Sequence, residues 1–299
     1  MLQPFYEQNR ELIVNINGVL VHRDEAGISP FDSAVQNGDA VWEGLRLYEG
    51  RIFKLTEHLD RLRDSAKALA YAHIPERAAI IAEIRNTLAA NRMRDNVHIR
   101  LTLTRGVKYT SGMDPRLNTV GSTLIVLAEH KPPVYDKTGL RLITSTVRRI
   151  PPECLDQKIH SCNMLNSILA KIQANQAGVD DAIMLDLRGY VAETNATHLF
   201  LVRDGMVITG HTGSCPEGIT RATVLEMCAD AQIPHAVQDL TLTEVYRADE
   251  VFCTGTMGEL APVLEVDGRV IGDGRPGPMT RRLSDLYAAR TAREGELVV

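Results

Sequence analysis

Between Asp186 and Gly205 a polar knot, Glu193-Thr194-Asn195-Ala196-Thr197, sits inside an apolar, β-prone run. Turn signals close the run at both ends, Leu187-Arg188-Gly189 and Arg203-Asp204-Gly205. Leu199-Phe200-Leu201-Val202 predicts a buried strand, with Ile183-Met184-Leu185 as its expected hairpin partner. A carboxylate between two buried strands must be solvated, paired or used, because an isolated buried charge is too costly. Glu193 is therefore either a surface-turn residue or the counter-charge of a bound cationic group.

The rest of the chain alternates between two periods. Glu11–His22 reads as two strands about an Asn17-Gly18 turn, and Ala40–Tyr48 turns at Glu49-Gly50 into Arg51-Ile52-Phe53. From Thr56, the expected N-cap, Leu59, Leu62, Ala66 and Leu69 recur at helical spacing. Pro75 and Asn91 bracket a second helix carrying Ile80, Ile81, Ile84 and Leu88. Val97–Thr104 and Ser122–Ala128 return to strand alternation. Glu129–Tyr135 is polar and proline-bearing, which predicts an interdomain linker, drawn at 129–138. It separates an N-terminal domain, 1–128, from a C-terminal domain, 139–299.

Beyond the linker, Gly139 opens a new set of strands, and Asn166–Ala177 predicts a helix stopped by Gly178. A helix over Ala222–Ala231, a strand from Glu250 into a Gly255-Thr256 loop, and a closing helix over Pro278–Ala289 follow. The expected class is α+β in two domains: an N-terminal antiparallel sheet with two helices, then a larger β-rich domain with helices.

Composition narrows the function. A net charge of −5 lacks the basic excess of a nucleic-acid binder. No apolar run approaches the roughly 20 residues that cross a bilayer, and no signal peptide is recognised, so no membrane partner is expected. Five widely spaced cysteines without a CxxC pair suit a reduced, cytoplasmic protein and offer no zinc framework. No metal is expected.

Two small-residue loops could cradle an anion. Gly218-Ile219-Thr220-Arg221 leads into a helix, whose unpaired N–H groups and dipole favour phosphate. Cys253-Thr254-Gly255-Thr256-Met257-Gly258 follows a strand and carries two hydroxyls. Neither fits GxGxxG or GxxxxGK[ST], which sets dinucleotide and P-loop readings aside. Among only seven lysines, Lys158 is either an exposed surface residue or a Schiff-base lysine, while Lys171 reads as a solvated helix face and Cys162 as a packing residue.

Several segments, in order and spacing, carry a resemblance over nearly the whole chain. They are Val41-Trp42-Glu43-Gly44-Leu45-Arg46, His58-Leu59-Asp60-Arg61-Leu62, Lys158 to Asn166, Gly189 to Phe200, Gly218 to Arg221, Ala248 to Phe252 with Gly255-Thr256, and Gly277-Pro278-Met279-Thr280. Together these resemble the class IV (fold type IV) pyridoxal-phosphate aminotransferases, the branched-chain amino-acid aminotransferases in particular. The resemblance implies pyridoxal 5'-phosphate between the domains, a homodimer, and transfer between an amino acid and a 2-oxo acid, expected to be a branched-chain L-amino acid and 2-oxoglutarate. Lys158 would hold the cofactor covalently and shuttle the proton. Glu193 would pair with the pyridine nitrogen; Arg61, Ile219, Thr220 and Thr256 would bind the phosphate, and Arg149 would line the cofactor site. Trp42, His98, Arg100, Asn37, Thr256 and Met257 would line the substrate pocket, with Arg100 suited to a second carboxylate.

The chain departs from that pattern in places. The stretch from Lys158 to Asn163 is longer than usual, so the loop is expected to bulge around His160. Met164, Asn37 and His98 stand where tyrosines are usual. The same fold also serves D-amino-acid transfer, (R)-amine transfer and aminodeoxychorismate lyase chemistry. A binding protein that has lost the chemistry is the reading from another class.

Overall fold

A computed structural model describes residues 3–299, which divide into two compact units. One comprises Gln3–Pro132, Ile159–Asn163 and Thr291–Val299; the other comprises Pro133–Lys158 and Met164–Arg290. The chain thus returns briefly to the first unit in the middle of the second, a detour with no compositional mark.

The first unit holds β1 (Ile13–Ile16), β2 (Val19–His22), α1 (Ser33–Asn37), β3 (Ala40–Tyr48), β4 (Arg51–Ile52), α2 (Leu55–Ala68), α3 (Arg77–Ala90), β5 (Val97–Thr104) and β6 (Thr123–His130). Its antiparallel sheet runs Glu296–Leu297, β4, β3, β5, β6, β1, β2. Two tight turns set its hairpins: Asn17 and Gly18, then Glu49 and Gly50, all take positive φ, the backbone that matches the twist of paired strands. The expected N-cap at Thr56 is not used. α2 starts from Lys54, left-handed at φ 54°, two residues before the expected cap.

One face of β3 and β5, with Val41, Leu45, Leu47, Val97, Ile99, Leu101 and Leu103, is buried with Leu59 and Leu62 of α2 and Ile80, Ile84 and Leu88 of α3. Each such side chain contributes about 1.5–3 kcal/mol by leaving water. Truncating Leu62 to alanine would cost about 2–5 kcal/mol, transfer loss and cavity together.

The second unit holds β7 (Leu140–Thr144), α4 (Leu165–Gln176), β8 (Asp181–Leu185), β9 (Val191–Thr194), β10 (His198–Arg203), β11 (Met206–Thr209), α5 (Ile219–Asp230), β12 (His235–Val237), α6 (Leu242–Tyr246), β13 (Glu250–Gly255), β14 (Glu259–Val266), β15 (Arg269–Val270) and α7 (Pro278–Thr291, of which Thr291 clusters with the first unit). The sheet order is β12-β11-β10-β13-β14-β7-β8-β9, with β15 against β14. It is mixed: β7 is parallel to both β14 and β8.

The pairing expected between 183–185 and 199–202 does not form. β8 pairs instead with β9, Met184 opposite Glu193, while β10 pairs with β11 and β13. The turn is the reason: Asp186 accepts the N–H groups of Arg188 and Tyr190 at 2.9 Å each and reverses the chain at once. Glu193 therefore lies in a strand. The knot after it is a buried turn, in which Thr194 Oγ1 meets Thr197 Oγ1 at 2.8 Å and accepts the Thr197 N–H at 2.9 Å. Asn195 Oδ1 accepts the Ala182 N–H at 2.8 Å, pinning the turn to β8.

α4 differs from its expected amphipathy. Ala170 and Ala174 are buried with Ala182 and Met184 of β8. Leu165, Ile168, Leu169 and Ile172, spaced along one stripe, are 69%, 49%, 53% and 45% exposed. Lys171, expected on a solvated face, is half-buried and donates to Asp181 Oδ1 at 2.9 Å.

Candidate active site

Glu193 is buried, and Arg149 Nη2 lies 2.7 Å from its Oε1, with Arg149 buried as well. The guanidinium is held from several sides. Nη1 donates to Ser167 Oγ at 3.0 Å, Nη2 to Gln157 Oε1 at 3.1 Å, and Nε to the Ser214 carbonyl at 3.3 Å. A carboxylate so paired is fixed in direction.

Strand pairing unites the two small-residue loops. His198 on β10 stands opposite Thr254 on β13. Gly218, the N-cap of α5, backs onto the same histidine: a Cβ there would lie 2.2 Å from His198 Cδ2. The N-terminus of α5 and the Thr254–Thr256 loop therefore flank one imidazole. Among the described residues Thr254 Oγ1 is buried without a hydrogen-bond partner, an unmet polar group of the kind a ligand satisfies. A Cβ on Gly255 would sit 3.2 Å from Thr197, so a side chain there would crowd that threonine. Glu193, His198 and Cys215 bring ligand-type atoms within 4.8 Å of one another. Burial pushes the Cys215 thiol up, which disfavours the thiolate that a metal ion would take as a ligand.

In the other unit a second constellation forms around Glu43, which sequence reasoning quoted only as part of a motif. Glu43 is fully buried on β3 and takes Arg61 in a fork, Nε to Oε1 and Nη2 to Oε2, both at 2.7 Å. His58 Nδ1 lies 2.6 Å from Oε2, and His160 Nδ1 lies 3.3 Å from Oε1. Burial alone would raise this carboxyl; Arg61 and His160 outweigh it and hold it well below the usual range. Arg61, expected at a phosphate, thus has two of its three nitrogens committed to Glu43.

On the opposite face of the sheet, register aligns Trp42, Arg46, His98 and Arg100. The Arg100 guanidinium lies 3.5 Å from the Trp42 ring centroid. His98 is pushed down to about 3, by burial first and by Lys131, Arg100 and Arg46 after it, so the ring is neutral. The His160 ring stacks on Trp42 at 4.3 Å.

The 159–163 stretch is not a bulge. Trp42 N donates to His160 O at 3.0 Å, Cys162 N donates to Ala40 O at 2.8 Å, and Val41 bridges Ser161. Backbone pairing with β3 holds it extended. Lys158, just before it, is exposed, and its Nζ makes no hydrogen bond or ion pair among the described residues. Asn37 is exposed at the end of α1, and Thr256 and Met257 are half-buried between β13 and β14.

Residues 40–266 match the model of the amino-transferase class IV family. The chain belongs to the class IV aminotransferases. A relative from Arabidopsis thaliana, branched-chain-amino-acid aminotransferase-like protein 2, is 55% identical over 289 residues, spanning 96% of this chain and 52% of its own. This chain thus spans about half the length of that relative. A D-alanine aminotransferase from Listeria monocytogenes is 31% identical over 95% of this chain and 98% of its own. Among solved structures, a branched-chain amino acid aminotransferase of T.th. complexed with N-(5'-phosphopyridoxyl)-L-glutamate superposes with a TM-score of 0.85 at 35% identity, covering 94% of both chains.

For this class IV aminotransferase, sequence reading singled out Glu193 and Arg149 but not their contact. It missed His58, His160 and His198 as site neighbours. The signal for His198 was available: it follows the polar knot directly, at the start of a buried strand, where a polar residue needs a reason.

Proposed function

We propose that the chain carries out pyridoxal-phosphate-dependent transfer of an amino group between an amino acid and a 2-oxo acid. The observation that carries this is Glu193, a buried, directed carboxylate fixed by Arg149 in the same unit as the α5 N-terminus and the Thr254–Thr256 loop. Pyridoxal phosphate fits this set. A ring nitrogen needs one oriented carboxylate, and a phosphate needs N–H groups and hydroxyls where no Cβ intrudes. The unpartnered Thr254 hydroxyl is a further donor of that type.

In this reading Glu193 binds the protonated ring nitrogen, and Ile219, Thr220 and Thr256 bind the phosphate. Arg149 holds Glu193 in place. When bound, the cofactor supplies an electron sink for the bonds at the amino-acid Cα. Trp42, His98, Arg100, Asn37 and Met257 select the substrate. Neutral His98 and stacked Trp42 present little charge to an apolar side chain, and Arg100 suits the second carboxylate of 2-oxoglutarate. A branched-chain L-amino acid with 2-oxoglutarate is the proposed pair.

The similarity to a D-alanine aminotransferase favours D-amino acids as the second reading. A second copy of the chain is the proposed partner, covering the exposed apolar stripe of α4. Equilibrium titration with pyridoxal phosphate tests the cofactor assignment. Binding by the wild-type protein, weakened tenfold or more (~1.4 kcal/mol) in Glu193→Ala, is expected; equal binding by both proteins would refute it.

A further inference from the structure

Val134 and Tyr135 fall in the stretch whose prolines and polar residues predict a linker, yet both are fastened to the unit that carries Glu193. Val134 N donates to Met257 O at 2.9 Å, which ties this backbone to the loop between β13 and β14. The Tyr135 ring packs on the next residue of that loop. A Cβ on Gly258 would stand 2.2 Å from Tyr135 Cδ2 and 2.7 Å from Cε2. Gly258 has no positive φ, so the ring, not the backbone, is what keeps a side chain out.

The same tyrosine reaches the turn that follows Glu193. Its hydroxyl donates to Oδ2 of buried Asp181, the first residue of β8. Asp181 Oδ1 accepts from Lys171 Nζ at 2.9 Å and from Asn195 Nδ2 at 3.2 Å. Asn195 belongs to the turn and holds β8 twice more. Its Oδ1 accepts the Ala182 N–H at 2.8 Å, and its own N–H donates to the Ala182 carbonyl at 2.9 Å. Three donors from three segments thus meet one carboxylate, as a buried charge requires. Removal from water, and then Asp181, raise the Tyr135 hydroxyl well above its ordinary value, so it keeps its proton and keeps donating.

Two glycines therefore bracket Thr256-Met257, Gly255 against Thr197 and Gly258 against Tyr135. Both contacts lead to the turn after Glu193, the first directly and the second through Asp181 and Asn195. We propose that Tyr135 and Asp181 are positioning residues of the aminotransferase site, holding Thr256-Met257 in a set place relative to Glu193. This rests on the reading that Glu193 and Thr256 bind the cofactor and Met257 meets the substrate. Without the hydroxyl the ring still packs on Gly258, but the loop and the turn are free to shift independently.

The test compares Tyr135→Phe with Tyr246→Phe, a control that removes a hydroxyl donating to Asp267 Oδ2 at 2.7 Å in the same unit. Each protein is titrated with pyridoxal 5'-phosphate at equilibrium, the visible circular dichroism of the bound cofactor is recorded at saturation, and urea denaturation gives the stability. Tyr135→Phe is expected to bind about tenfold more weakly and with a reduced dichroic band, while Tyr246→Phe matches the wild type in both. Gly258→Ala reaches the same contact from the loop side and is expected to weaken binding about tenfold, with no further loss when placed in Tyr135→Ala. Wild-type affinity and dichroism in Tyr135→Phe overturn the inference and leave the cofactor reading standing. An equal loss in Tyr246→Phe, or additive losses in the Gly258→Ala and Tyr135→Ala pair, does the same. If Tyr135→Phe does not fold, wild-type affinity in Gly258→Ala still overturns the inference. No binding by the wild type overturns the cofactor reading and the inference with it.

Discussion

Arg149 Nη2 and Glu193 Oε1 stand 2.7 Å apart with both side chains out of water. A buried pair is costly to assemble and more costly to break, because removing one partner leaves a bare charge. Arg149→Met is expected to lose about 3–5 kcal/mol of unfolding free energy. The double variant Arg149→Met with Glu193→Leu recovers most of that loss, since no charge is stranded. Urea denaturation of the four proteins checks it; an additive double variant would show that the pair is not coupled.

Acid should find the Glu43 network first. Its folded carboxyl is held well below the ordinary range by Arg61 and His160 against burial, while the unfolded value lies near 4.3. The stabilisation is therefore fully present above the unfolded value and is lost as pH falls through the folded one. Wild type is expected to hold a flat melting temperature down to about pH 5 and then fall steeply. Glu43→Gln should be less stable at neutral pH and lose less on acidification. Parallel acid limbs in the two proteins would contradict this.

Gly218 is required by space. A Cβ there reaches 2.2 Å from the His198 ring, so the imidazole or the start of α5 must move. Gly218→Ala is expected to cost about 1–3 kcal/mol of stability and to weaken pyridoxal phosphate binding by roughly tenfold. Unchanged binding would remove the α5 N-terminus from the site.

The stripe Leu165, Ile168, Leu169 and Ile172 leaves four apolar side chains in water on one helix face. Sedimentation is expected to show a dimer for the wild type and a monomer for the variant carrying Ile168→Glu and Leu169→Glu. A wild-type monomer at micromolar concentration would contradict the proposed partner.

What could be read from sequence followed local physics. Turn chemistry at Asn17-Gly18 and Glu49-Gly50 set the first hairpins, and alternation over Val97–Thr104 gave β5 with the bounds observed. Long-range pairing was not legible in the same way. Nothing local distinguishes β8 pairing with β9 from β8 pairing with β10, because both partners are apolar; the Asp186 hydrogen bonds decide it. Ile159–Asn163 reads as loop, since its strand-like order comes from the β3 edge and not from its own residues. The same limit hid the site. Glu193 stood out as a carboxylate in an apolar run, whereas His198 and Thr254 became neighbours only through the β10–β13 register.

The most direct measurement follows nitrogen itself. Nitrogen-labelled amino acids, L-leucine and L-valine beside D-alanine and a chiral amine, are incubated with the protein, pyridoxal phosphate and 2-oxoglutarate, and the glutamate formed is analysed by mass spectrometry. The account predicts label in glutamate from the branched-chain L-amino acids, with the signal abolished in Glu193→Ala. No label in glutamate from any donor, in a protein shown to bind the cofactor, would contradict it.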